Sequence, residues 1–257
     1  MDPRRNGAGR EQAPAEVDEG AADNQTQSVF AEIRAVLRVP FVDQFWRVLA
    51  GYPQFLAPAW SWLAPVLGSV AAERAADDLR RGALITLAVG LPAHKAFRGD
   101  LSRAEIGADD RERISNYTMA MHYVLPKLLL AVVLLNAELQ AARAEPLPRG
   151  SAVEPLPRGI AEGMPRVEPI RPEEAFGEIV GLFQEIRERH GYPAIADYYR
   201  AIARAGDFLR IAWNPLRPIV GDPEVGARVR TLVQRTSQLV VGLRQATLAP
   251  LQAPLPE

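Results

Sequence analysis

The sequence predicts an all-α protein formed by tandem duplication of a helical repeat, an intramolecular pseudo-dimer. Apolar residues recur at helical rather than alternating spacing, and no alternating run is bounded by hairpin signals. Phe30-Ala-Glu-Ile-Arg returns as Phe183-Gln-Glu-Ile-Arg, an offset of 183 − 30 = 153 residues. Without a gap, the same offset lays Pro40 on Pro193, Arg47 on Arg200, Ala50 on Ala203 and Phe55-Leu56 on Phe208-Leu209. It continues with Ala59-Trp60 on Ala212-Trp213, and Leu63, Pro65 and Gly68 on Leu216, Pro218 and Gly221. So many ordered matches mark an internal repeat.

Each copy has the same grammar. An amphipathic helix near 27–38 returns near 176–189, and Pro40 and Pro193 are expected to open a second helix. A third helix carries Trp60 or Trp213, with prolines 58 and 65, or 215 and 218, expected to interrupt or end it. A fourth starts at a cap, Ser69 in one copy and Asp222-Pro223-Glu224 in the other. Copy one adds a long helix over 110–140, with Ile114, Tyr117, Met121, Leu125, Leu128 and Val132 at helical spacing. The resulting division is a disordered, acidic and Ala/Gly-rich tail over 1–24, repeat one over 25–142, and a Pro-rich linker over 143–167. Repeat two covers 168–247 and a Pro-rich tail 248–257. The linker holds Glu-Pro-Leu-Pro-Arg-Gly twice, at 145 and 154, which reads as a spacer before it reads as a ligand for a partner groove.

Composition narrows the chemistry. The 257 residues are 48% hydrophobic and 24% charged, with a net charge of −1, so nothing draws the chain to nucleic acid or anionic lipid. Without cysteine, thiolate nucleophiles, thiolate metal sites and disulfides are excluded. His94, His122 and His190 lack metal-ligand spacing, so no metal site is expected. No apolar signal region opens the chain, and the Leu128–Leu135 run is shorter than the roughly 20 residues of a membrane span. The expected location is cytoplasmic, with no membrane partner. Dinucleotide, P-loop, serine-hydrolase and zincin motifs are all missing.

Asp197 is the carboxylate that stands out. It lies within the second helix of copy two, where copy one has the neutral Gln44, and Asp prefers helix caps to interiors. An exposed pair with Arg200 is the plainer account. Ser69 and Glu73 read first as a cap and a first-turn acid, though a helix start can also hold a ligand carboxylate. Trp46 and Tyr199 occupy matching positions and differ, so they can line a pocket. Asn116 and Tyr117 are polar groups on an otherwise apolar helix, facing either solvent or a cavity.

Taken together, Val39-Pro40-Phe41-Val42, Phe45-Trp46-Arg47, Ala59-Trp60-x-x-Leu63, His122-Tyr123-x-x-Pro126-Lys127 and Asp197-Tyr198-x-Arg200-Ala201-Ile202-Ala203 resemble the group I 2-haloacid dehalogenases over about residues 27–245. The resemblance implies an all-helical pseudo-dimer with its active site between the repeats. It also implies that an aspartate activates water, which displaces halide from C2 of a short 2-haloalkanoic acid with no covalent intermediate and no cofactor. Asp197 corresponds to that aspartate, and Ser69 and Glu73 to the family's hydroxyl–glutamate pair, with Trp46, Asn116, Tyr117 and Tyr199 as further substrate-binding candidates. The expected partner is a small carboxylic acid, and a homodimer is left open. Ile211 stands where the resemblance leads one to expect an asparagine that holds the water. That departure motivates the alternative, a non-dehalogenating relative that binds a small apolar carboxylic acid between the repeats.

Overall fold

The computed structural model describes residues 13–88, 99–104, 106–141, 154–166, 168–205 and 207–245. Among them the regular structure is helical, with one isolated β-bridge between Ser69 and Pro155. The principal helices are α1 (Asn24–Leu37), α2 (Gln44–Leu49), α3 (Pro53–Leu67), α4 (Val70–Ala88) and α5 (Ala108–Ala141). After a 3-10 turn at Pro172–Glu174 come α6 (Glu178–His190), α7 (Asp197–Ile202), α8 (Phe208–Leu216) and α9 (Pro223–Gln245). Adding 153 to the bounds of α2 gives those of α7, and adding it to the starts of α1 and α4 reaches the starts of α6 and α9 to within one residue. Packing joins α1 to α3, α3 to α4 and α5, and α7 to α8, while α4, α5 and α9 pack on one another.

Local chemistry sets the helix ends. Asp23 caps α1 by accepting from the Thr26 amide, and Asp43 caps α2 by accepting from Phe45. Ser69 Oγ accepts from the Ala72 amide at 3.1 Å and donates to Val66 O, as a cap for α4. Asp222 Oδ1 takes the amides of Glu224 and Val225 at the start of α9. The expectation that Pro40 and Pro193 open helices is corrected. Both sit in the approach, and α2 and α7 begin four residues later.

Pro58 and Pro65 also fail to break α3, which runs through both. Each removes one amide bond, but the carbonyls left over belong to exposed Gln54 and Ser61, where water can replace the donor. The core gathers Phe30, Ile33, Trp46, Trp60, Leu63, Leu130, Leu134 and Trp213, all nearly sealed from water. Each such large apolar side chain contributes about 1.5–3 kcal/mol of transfer free energy.

The long helix forms as expected, though its buried stripe differs. Leu125 and Val132 are exposed, whereas Tyr117, Val124, Lys127, Leu128 and Ala131 face inward. By length and composition α5 could cross a bilayer, but 56% of its most apolar window is buried inside this fold. The tail expected to be disordered and the linker expected to be a spacer are both pinned where they are described. Residues 13–23 lie along α2, with the Val17 amide on Arg47 O at 3.0 Å and the Val42 amide on Glu19 at 3.0 Å. Composition concealed this, because the segment is held by a few polar contacts and by little apolar burial, Ala22 and part of Val17. The second Glu-Pro-Leu-Pro-Arg-Gly lies against the first-half helices through Val70 N to Glu154 O (2.9 Å), Leu156 N to Gly68 O (2.7 Å) and Gly159 N to Ala35 O (2.9 Å). The first copy and the tail at 248–257 fall outside the described residues.

Candidate active site

The short helices α2 and α7 meet start to start, which brings Asp197 against the first half of the chain. The Asp197 side chain is 3% exposed, so it is not the surface pair that the plainer account supposed. Its Oδ2 accepts from the Gln44 amide at 2.9 Å and from Arg47 Nη1 at 3.1 Å. Its Oδ1 faces Arg47 Nη2 at 2.9 Å and Arg200 Nη1 at 3.3 Å. Gln44 and Arg47 lie one offset from Asp197 and Arg200. The cluster thus brings together residues 153 apart in sequence, Gln44 with Asp197 and Arg47 with Arg200.

Two further carboxylates complete the cluster, and sequence reasoning did not nominate either. Glu16 arrives on the 13–23 segment and accepts from Arg47, Arg200 and Gln44 Nε2. Burial works to raise its pKa, but the Arg47 and Gln44 hydrogen bonds and the two arginine charges win and lower it. Asp43 takes the next amide of α2 after the one held by Asp197, accepting from Phe45 at 2.9 Å. Burial first, and the charge of Asp197 second, push Asp43 up to about 6. Asp43 reads in the sequence as an ordinary cap. The signal available was that it is opposite Ala196, just as Asp197 is opposite Gln44.

Tyr117 lies on α5 near both aspartates. It is 3% exposed, its ring is 5.5 Å from that of Tyr198, and its hydroxyl has no hydrogen-bond partner in the structure. Burial, then the charges of Tyr198, Asp197 and Asp43, raise it above the usual tyrosine range, so it stays a neutral donor. Together with Asn116 it borders a cleft of about 1020 Å³ between α5, the 166–179 region and α7–α8. Asp197 does not line that cleft, whereas Tyr117, which senses the Asp197 charge, does.

The other nominated residues belong to separate sets. Ser69 is fully buried with both of its bonds internal. Glu73 pairs with buried Lys127 at 2.7 Å, and Lys127 also donates to Tyr123 Oη at 2.8 Å. Neither Ser69 nor Glu73 has a described contact with the Asp197 cluster, so the expected facing arrangement is not found. Trp46 is sealed in the core, edge-on to Trp60 at 5.2 Å. Tyr199 repeats this against Trp213 at 5.8 Å and bonds His190 Nε2 at 2.8 Å. Both are packing groups in this arrangement. Ile211 is likewise a core residue of α8. No group of three or more metal-ligating side chains occurs among the described residues.

The all-helical fold has parallels among solved structures. A solved D-2-haloacid dehalogenase mutant superposes with a TM-score of 0.74 at 23% identity, covering 92% of this chain and 80% of that one. A second, a D-2-haloacid dehalogenase in complex with L-LA, gives 0.74 at 21% identity over 94% and 81%. No family model matches the sequence. A configuration-inverting 2-haloacid dehalogenase of Alcaligenes xylosoxydans xylosoxydans is 30% identical over 225 residues, 85% of this chain and 74% of that protein. An (R)-2-haloacid dehalogenase of Pseudomonas putida is 26% identical over 211 residues, 80% and 69% of the two lengths. The chain belongs to this 2-haloacid dehalogenase family.

Proposed function

We propose that the protein hydrolyses short 2-haloalkanoic acids, with Asp197 as the base that activates water. The observation that carries this reading is the burial of Asp197 at the meeting of α2 and α7. In the step, a water O–H bond breaks and its proton passes to Asp197. A C2–O bond forms as the C2–halogen bond breaks, and the halide leaves with the bonding pair. Attack in line with the leaving group inverts C2 and yields a 2-hydroxy acid. Positioning supplies much of the rate, because a held water and a held acid react as one molecule. Tyr117, with Asn116 beside it on the cleft, is the substrate contact that this reading retains. Ser69, Glu73, Trp46 and Tyr199 fall to packing. The two sets of helices are read as duplicated halves of a pseudo-dimer, with the base contributed by one half and its clamp by the other.

A second reading rests on one feature of the cluster. A carboxylate offers about four acceptor positions, and Asp197 uses three of them on the Gln44 amide and on Arg47 twice, with Arg200 beside it as an ion partner at 3.3 Å. A protein that binds a small apolar acid without turnover fits a carboxylate so engaged. Halide release from 2-chloropropionate and bromoacetate separates the two. Wild-type release, abolished in Asp197→Asn, supports hydrolysis. Ligand-induced thermal stabilisation without halide release supports the binding protein.

A further inference from the structure

The acid that the reaction consumes needs a place for its own carboxylate. The residues nominated for that task from the sequence, Ser69 and Glu73, already have partners elsewhere. The site does contain a built carboxylate cradle, and a side chain of this chain occupies it. Glu16 Oε2 lies 2.8 Å from Arg47 Nη2, 3.2 Å from Arg47 Nε and 3.0 Å from Arg200 Nη1. Glu16 Oε1 lies 2.9 Å from Arg200 Nη1 and 2.8 Å from Gln44 Nε2. Arg200 is 4% exposed and donates its Nε to Ile170 O at 2.8 Å, while Arg47 donates Nη1 to Val42 O, so both guanidinium groups are fixed from behind.

We propose that the cradle of Arg47, Arg200 and Gln44 is the subsite for the carboxylate of a small 2-substituted acid, and that Glu16 is its resident competitor, displaced when the acid binds. This rests on the reading of Asp197 as the base.

Three physical points support the exchange. One carboxylate replaces another, so the two arginines keep two anionic partners and no uncompensated charge is left buried. Glu16 sits on a segment held by few contacts: the Val17 amide on Arg47 O, and Glu19 on Arg34 and the Val42 amide. Its release breaks a handful of exchangeable bonds, with partly buried Val17 as the apolar contact beside it. An acid lying where Glu16 lies also borders Asp197 through the two shared arginines. Arg200 meets Asp197 as an ion pair at 3.3 Å and not as a hydrogen-bond donor, so one acceptor position of Asp197 is left for water.

A tethered ligand acts at an effective concentration in the millimolar range, so it weakens a free acid of similar chemistry in proportion. Propionate binding by calorimetry and steady-state halide release from 2-chloropropionate test the proposal. Glu16→Gln is expected to bind propionate about tenfold more tightly and to lower KM about tenfold with kcat within twofold, while Arg200→Met loses propionate binding. In the wild-type protein, saturating propionate is expected to remove hydrogen-exchange protection from the Val17 amide. An unchanged or raised KM in Glu16→Gln, no propionate binding, or Val17 protection that persists with propionate bound would each overturn the cradle. Wild-type hydrogen exchange gives the answer even if Glu16→Gln folds poorly. Asp197→Asn separates the two readings, because it should still bind propionate while releasing no halide. Halide release by that variant removes the base and leaves the cradle to be judged on binding.

Discussion

Arg47 and Asp197 join the first part of the chain to the second by a two-pronged ion pair, Nη2 to Oδ1 at 2.9 Å and Nη1 to Oδ2 at 3.1 Å, with the aspartate buried. The planar guanidinium makes that geometry, and an ammonium cannot. Arg47→Lys keeps the charge but loses one prong and the Nε contact to Glu16. It is expected to cost about 2 kcal/mol in urea unfolding. A loss below a few tenths would mean that the pair does not tie the halves together.

Asp43 gives a pH-dependent stability. Its folded-state value of about 6 stands above its ordinary 3.8, with burial first and then Asp197 and Glu16 raising it, while the Phe45 amide and Arg47 lower it. The protonated acid therefore favours the fold. That contribution is complete below about pH 4 and is lost as pH rises through about 6, on the order of 3 kcal/mol in all. Asp43→Asn keeps the cap acceptor without the charge. Its melting temperature should exceed that of the wild type at pH 7.5, and the gap should close by pH 4. A gap independent of pH would refute the assignment.

Lys127 is 1% exposed, and its ammonium is held by Glu73 and Tyr123. Removing it leaves Glu73 with only Arg80, at 3.7 Å, as a described cation. Lys127→Met should destabilise the protein by roughly 3 kcal/mol, since one charge of a buried pair is stranded. Lys127→Met with Glu73→Gln should recover part of that loss. A double variant no better than the single one would show that the two do not act as a pair.

Tyr117→Phe removes a buried hydroxyl without a partner. Its stability should stay level or rise by up to about 1 kcal/mol, because no hydrogen bond is lost. If the hydroxyl donates to bound substrate, kcat/KM for 2-chloropropionate falls about fivefold, the worth of one neutral hydrogen bond. Unchanged kcat/KM would remove Tyr117 from the site.

Much of the architecture can be read from the sequence because it rests on local rules. Helix starts at Ser69 and Asp222 follow cap chemistry, and the offset that pairs Gln44 with Asp197 is visible as text. Asp197 is legible for the same reason, as one charged residue on a repeated, otherwise neutral position. What stays hidden depends on three-dimensional neighbours. Glu16 lies 184 residues from Arg200 in the chain, in a stretch whose composition looks unstructured. Lys127 looks like a surface residue until its stripe on α5 is seen to face inward. Ser69 and Glu73 read first as a cap and a first-turn acid, and the neighbours the fold gives them, Val66 and Lys127, are not visible in that local pattern.

The packing of α5 bears on how the protein comes apart. It touches α3 and α4 from one half and α7 and α9 from the other, so a single rod serves as common ground for both. Neither half can melt without baring a flank of that rod, and heating should release the two together in one calorimetric peak rather than two.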